Sequence, residues 1–167
     1  ALSAALGAGQ TLAVQRDGLA VGTAVVNGTS WTFVVSGTAP QGPNSYRAQV
    51  VAGGGFGAFS NTLAFTLDSL PPTALASVGG FEDDVLGAIA VGGFASDATP
   101  KVIGTLSTAP GTGESVQVLR DGSVVGSASV ADRAWSFVEP TALGAGLYAY
   151  QARVVDAAAN TSAASPS

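Results

Sequence analysis

Five acids carry whatever ligand chemistry this sequence has. Asp68, Glu82, Asp83, Asp84 and Asp97 lie in residues 48–100, a stretch without Lys or Arg, while the other six acids are matched by all six bases. The net charge of −5 therefore belongs to that stretch alone. Uncompensated carboxylates in turn-rich chain suit a hard cation such as Ca2+, which takes about six to eight oxygens from side chains and backbone. A solvated acidic loop region is the alternative reading.

Other chemistry is largely excluded. The chain has no Cys and no His, so it lacks disulfides, thiolate or imidazole metal sites, and every nucleophile arrangement that needs a histidine base. Its single lysine, Lys101, leaves little room for a Ser–Lys dyad or a Schiff base. Glycoside hydrolysis needs two carboxyls about 5 Å apart beside a sugar-sized cleft, and no Glu here is paired with one. We expect no enzyme. Six scattered bases in 167 residues are too few to neutralise a nucleic-acid backbone. A mean hydropathy of +0.40 hints at a membrane, yet no apolar run approaches the ~20 residues of a spanning helix, so no membrane insertion is expected. With no initiator Met, basic leader or cleavage site, the chain reads as an excerpt of a longer polypeptide.

The elements that position the acids follow from an internal repeat. Shifted by 104 positions, the two ends superimpose without a gap, and 21 of the 51 pairs from Leu2 to Ala52 are identical. Arg16-Asp17-Gly18 falls on Arg120-Asp121-Gly122, Trp31 on Trp135 and Tyr46 on Tyr150. Period-2 alternation in short runs predicts strands: Thr11 to Arg16 and Leu19 to Val26 around an Asp-Gly hairpin, the runs at Trp31 and Trp135, and those at Tyr46 and Tyr150. Asn61 to Asp68 should turn Leu63, Phe65 and Leu67 inward. Val85 to Ala90 could form one helical turn, and Gly53 to Gly57 reads as a flexible loop. About seven short strands per 100 residues predict an all-β chain of tandem immunoglobulin-like antiparallel sandwiches. Residues 1–68 form a repeat lacking its N-terminal strands, 69–72 a linker, and 73–167 a repeat lacking its last strand. Unpaired sheet edges would then invite strand exchange between copies.

The series from Gly104 to Ser162, with Arg120-Asp121-Gly122, Trp135-Ser136-Phe137 and the run from Tyr148 through Val155 to Asn160, resembles the bacterial Ig-like repeats of large secreted adhesins of the biofilm-associated and repeats-in-toxin type. The Pro71-Pro72 linker and the stretch from Asp83 to Pro100 match the same pattern. The resemblance implies stalk repeats at the bacterial cell surface or secreted from it, supporting cell adhesion and biofilm formation, with adjacent repeats of the same chain as partners. It also implies Ca2+ at domain junctions. On the family's strand order, Asp68 at the exit of the first repeat and Asp156, beside Asn160, in the F–G loop of the second form a junction pair. Asp83, Asp84 and Asp97 belong to the opposite end of the second repeat. Tyr46 and Tyr150 resemble the tyrosine corner of Ig-like sandwiches, a hydroxyl bonded to backbone. Two alternatives remain: a carbohydrate- or protein-binding module using Phe56, Phe59, Phe81 or Phe94, and an Ig-like spacer of a secreted polysaccharide-degrading enzyme. The host or surface ligand of such an adhesin is not legible in these residues.

Overall fold

Each alternating run becomes a strand, because alternation is what lets one face of a sheet bury apolar side chains while the other meets water. A computed structural model describes residues 1–90 and 92–167, which hold fifteen strands and no helix. The chain divides into two compact units, Ala1–Asp68 and Ser69–Ser167.

The first unit contains β1 (Gln10–Arg16), β2 (Leu19–Thr23), β3 (Val25–Asn27), β4 (Ser30–Thr32), β5 (Gly42–Ala52), β6 (Gly55–Phe59) and β7 (Leu63–Leu67). One sheet runs β2-β1-β5-β6 with β7 also on β5, and β3-β4 is a separate hairpin. Leu12, Val14, Ala24 and Ala48 form its small core, with Trp31, Phe33 and Tyr46 packed against them. The glycine-rich stretch is a tight hairpin between β5 and β6, turning at Gly53 and Gly54, both at positive φ. β7 aligns Leu63 with Tyr46 and Phe65 with Asn44, on the inner face as the alternation predicts. They are nevertheless 71% and 47% exposed, because among the described residues of this unit only the β3-β4 hairpin forms a second sheet.

The second unit contains β8 (Ala76–Asp83), β9 (Gly87–Ile89), β10 (Lys101–Leu106), β11 (Ser115–Arg120), β12 (Ser123–Ser127), β13 (Ser129–Ala131), β14 (Ala134–Val138) and β15 (Tyr150–Val155). It is a two-sheet sandwich, β13-β14-β10-β8-β9 facing β12-β11-β15. Val102, Leu106, Trp135 and Phe137 from one sheet meet Val116, Val118, Tyr150, Ala152 and Val154 from the other. The expected helical turn at Val85–Ala90 is instead a tight turn into β9, with Gly87 at φ 76°, a left-handed geometry that a helix cannot continue through. Burial begins to alternate at Pro72, ahead of β8. Among the described residues no helix is long and apolar enough to cross a membrane.

The repeat holds at the level of single hydrogen bonds. Leu2 N–H donates to Thr29 O as Leu106 N–H donates to Arg133 O, both at 2.7 Å. Asp17 and Asp121 both sit at φ 51° in an Asp-Gly hairpin turn. Each also uses its carboxylate to accept a backbone N–H across the next corner, from Ser45 at 2.8 Å and from Ala149 at 2.9 Å. Ser60 Oγ accepts from Ala48 N–H, and Ser165 Oγ does the same for Ala152, the counterpart of Ala48.

Candidate functional site

In the second unit the acids occupy two opposite ends. The pairing of Lys101 with Glu82 and of Ser115 with Val155 places the loop after β8 at one end, and the turn after β15, with the entry to β8, at the other. Asp83, Asp84 and Asp97 are therefore at one end and Asp156 at the other. Asp68 is the last residue of the first unit, exposed just beyond β7.

Asp83 closes its loop with its own carboxylate. Oδ1 accepts the N–H groups of Val85 and Leu86, both at 2.8 Å, and Oδ2 those of Ser96 at 2.6 Å and Asp97 at 2.9 Å. The Ser96 hydroxyl adds a further donor at 3.1 Å. These hydrogen bonds, led by that from Leu86, hold the carboxyl well below its ordinary value of 3.8 even though Asp83 is only 3% exposed. Four amide N–H groups thus converge on the Asp83 carboxylate and hold its loop closed. Asp97 accepts from Thr99 N–H and hydroxyl at 2.7 and 3.0 Å, and Asp84 is exposed beside the turn. Glu82 is ion-paired with Lys101 at 2.8 Å, so one of the five surplus acids has a base after all, across the β8-β10 ladder. Among the described residues, no three acids converge as a metal cage.

Asp156 caps a tight turn. Its Oδ1 accepts Ala158 N–H at 2.8 Å and Asn160 N–H at 2.9 Å, and its Oδ2 accepts the Asn160 side-chain amide at 2.9 Å. That side-chain bond, with the backbone ones, lowers its pKa.

The tyrosines correct the expected corner. Tyr150 does not bond to backbone: its hydroxyl donates to Glu139 Oε2 at 2.6 Å, and Glu139 Oε1 is ion-paired with Arg120 at 2.6 Å. Burial foremost, then the Glu139 carboxylate, raises the phenol's pKa. Glu139 follows β14, while Arg120 and Tyr150 end β11 and begin β15, so the carboxylate ties the two sheets together. The corner itself is made two residues earlier, where the Tyr148 hydroxyl donates to Gly144 O at 3.0 Å. In the first unit the counterpart of Tyr148 is Asn44, fully buried, whose amide donates to Pro40 O, the counterpart carbonyl, at 2.9 Å. The counterpart of Glu139 is Val35, and the Tyr46 ring instead stacks on Phe65 at 6.0 Å.

Sequence reasoning missed Glu139. The signal was present, since Trp135, Phe137 and Glu139 share one strand parity and an inward-facing acid demands a partner. Of the four candidate binding aromatics, Phe81 is packed edge-on against Tyr150 at 5.6 Å and Phe59 lies under the Arg47 guanidinium at 3.7 Å. Phe56 and Phe94 are exposed, one in each unit.

The family model of the bacterial Ig-like domain matches residues 84–167. No curated protein matches the chain.

Proposed function

This chain belongs to the bacterial Ig-like domain family, and from that premise we propose that it serves as consecutive extender repeats in the stalk of a bacterial surface or secreted adhesin, supporting cell adhesion and biofilm formation. The observation that carries this reading is the repeat itself, reproduced down to individual turn and corner hydrogen bonds in both units. A module that repeats its turns and corner hydrogen bonds is built for length. β5, with eleven residues, spans about 36 Å at roughly 3.3 Å per residue, which sets the reach that each repeat adds. A non-catalytic role agrees with the family and with carboxylates engaged by amides, hydroxyls and bases rather than converging on a cleft.

Within this proposal Asp68 of the first unit and Asp156 of the second are calcium ligands, and the ion would stiffen the array by neutralising acids that otherwise repel. Supporting this assignment are the surplus charge of the linker region and the position of Asp156 at the end of the second unit where the linker enters. Asp83, Asp84 and Asp97 are left out of it, since their loop lies at the end of the second unit opposite Asp156. Melting and small-angle scattering with millimolar calcium or with chelator test the assignment. Calcium should raise the melting temperature and narrow the distance distribution, Asp68→Ala or Asp156→Ala should abolish both effects, and Asp84→Ala should leave them intact. Identical curves with and without calcium would refute the ion while leaving the extender reading to be judged by the flanking repeats.

A further inference from the structure

Arg47, Phe56 and Phe59 come together on the outer face of the first unit's main sheet. Along β5 the side chains of Tyr46, Ala48 and Val50 turn inward to the core, so Arg47, Gln49 and Val51 turn outward. Alternation along β6 would put Phe56 and Phe59 on opposite faces. A bulge prevents this: Gln49 lies opposite Phe59 and Val51 opposite Phe56, so both rings join the outer face. The Arg47 guanidinium lies 3.7 Å from the centre of the Phe59 ring, and its Nε–H donates to Gln15 Oε1 at 3.0 Å, which fixes the plane of the fork. Among the described residues no carboxylate is ion-paired with it. Phe56, further along the same edge, is 73% exposed. The fold does not require this arrangement, because the second unit keeps the same ladder with Gln151, Asn160 and Ala163 in place of Arg47, Phe56 and Phe59.

We propose that this outer face binds an acidic polysaccharide, with the carboxylate of a hexuronate taken by the Nη groups of Arg47 and the C–H face of a neighbouring sugar ring stacked on Phe56. A guanidinium that is held in plane and has no acid partner is arranged for a planar oxyanion, which it takes through two parallel hydrogen bonds. Charge agrees with this occupant. The first unit holds two acids, Asp17 and Asp68, and two bases, Arg16 and Arg47, so the net charge of −5 lies in the second unit and an anion meets no net repulsion from the first. A protein partner fits less well, since the core of a protein interface is apolar, whereas the ladder sets Thr11 and Ala13 beside Val51 and Gln49 on this face. A flat face with a bare ring among amides and a hydroxyl matches a sugar chain, which offers C–H faces and hydroxyls together. This inference rests on neither the adhesin nor the calcium reading.

The probe is tetragalacturonate, titrated into the full chain in calcium-free buffer at low salt and followed by NMR and calorimetry. Shifts should centre on the Arg47 Nε–H and on the amides of Phe56 and Phe59. Affinity should fall about tenfold or more in Arg47→Gln, as loss of a hydrogen-bonded charge does, and clearly in Phe56→Asn. Both variants carry the residue that the second unit has at that position, so their melting curves should match the parent, and if one fails to fold the other decides. Neutral maltotetraose should bind about tenfold more weakly than the acidic sugar. No shifts at these residues, shifts confined to the second unit, or parental affinity in a folded variant would overturn the proposal. So would equal binding of maltotetraose, which would remove the carboxylate from the argument. Hexaglutamate binding as tightly as tetragalacturonate would overturn it as well, by making the face a reader of acidic peptides.

Discussion

Replacing Gly104 by Ala in the intact chain is the sharpest test of how the second sandwich is packed. Elsewhere in a strand this change is mildly favourable, by about 0.5–1 kcal/mol, because alanine has less backbone freedom to lose. At Gly104 the new methyl would overlap the Ser77 carbonyl oxygen, which belongs to the neighbouring strand's backbone, and the Trp135 ring, which is 2% exposed and cannot swing into solvent. Overpacking of this kind costs about 1–3 kcal/mol, and with a rigid backbone on one side the upper end applies, for a net loss of about 2 kcal/mol. For a unit of this size each kcal/mol moves the melting point by about 4–8 °C, so the transition of the second unit should fall by about 10–15 °C. Gly79→Ala is the control: on the adjacent strand, its Cβ would meet its nearest neighbours at 3.7 and 3.8 Å, ordinary contact distances, and its melting point should hold or rise slightly. Calorimetry reads both. A Gly104→Ala chain melting within about 3 °C of the parent would refute the indole-on-glycine packing.

Three further outcomes are expected. Asp83 has a folded pKa depressed below its ordinary value of 3.8, so its contribution to stability is complete above that value and is lost as pH falls through the folded one; melting curves taken downward from pH 5 should show this loss, and Asp83→Asn should flatten it. In a double-mutant cycle, Glu139→Gln and Tyr150→Phe should couple by about 1–3 kcal/mol, as a charge-assisted hydrogen bond does, whereas additive effects would deny the cross-sheet tie. Asn44→Ala should destabilise the first unit by about 0.5–1.5 kcal/mol because the fully buried Asn44 amide no longer donates to the Pro40 and Gly42 carbonyls, and unchanged urea unfolding would contradict that.

What could be read from the sequence and what could not divides by the range of the interaction. The hairpins at Asp17-Gly18 and Asp121-Gly122 were legible because the turn is specified by adjacent residues that tolerate positive φ. Sandwich class and the repeat were legible because alternation and spacing survive without knowing any partner. The role of Tyr150 was not, since its acceptor comes from a residue eleven positions earlier in the facing sheet, and only the register decides that Glu139 meets it. The tyrosine corner was placed on the wrong tyrosine for the same reason: Tyr148 and Tyr150 share a parity, and the choice between them depends on the corner's backbone path. Asp83 shows a different limit. A carboxylate in a glycine-rich, acidic loop has the same appearance in sequence whether or not its lone pairs meet amides, and only the fold brings the N–H groups of Val85, Leu86, Ser96 and Asp97 to it.

That separation changes what the surplus charge means. Of the five acids that seemed to form one electrostatic patch, Asp83 organises a loop, Glu82 is paired with Lys101 across a ladder, and Asp97 accepts from Thr99. Asp68 and Asp84 are exposed, and Asp84 lies at the end of its unit away from the linker. A cation drawn to net charge alone would be spread over the whole stretch, and its effect would fall as salt screens the field. One held by Asp68 and by Asp156 would lose its effect when either is removed. The Asp84→Ala and Asp156→Ala variants carry the same change in charge, so any difference in their calcium response measures position and not charge.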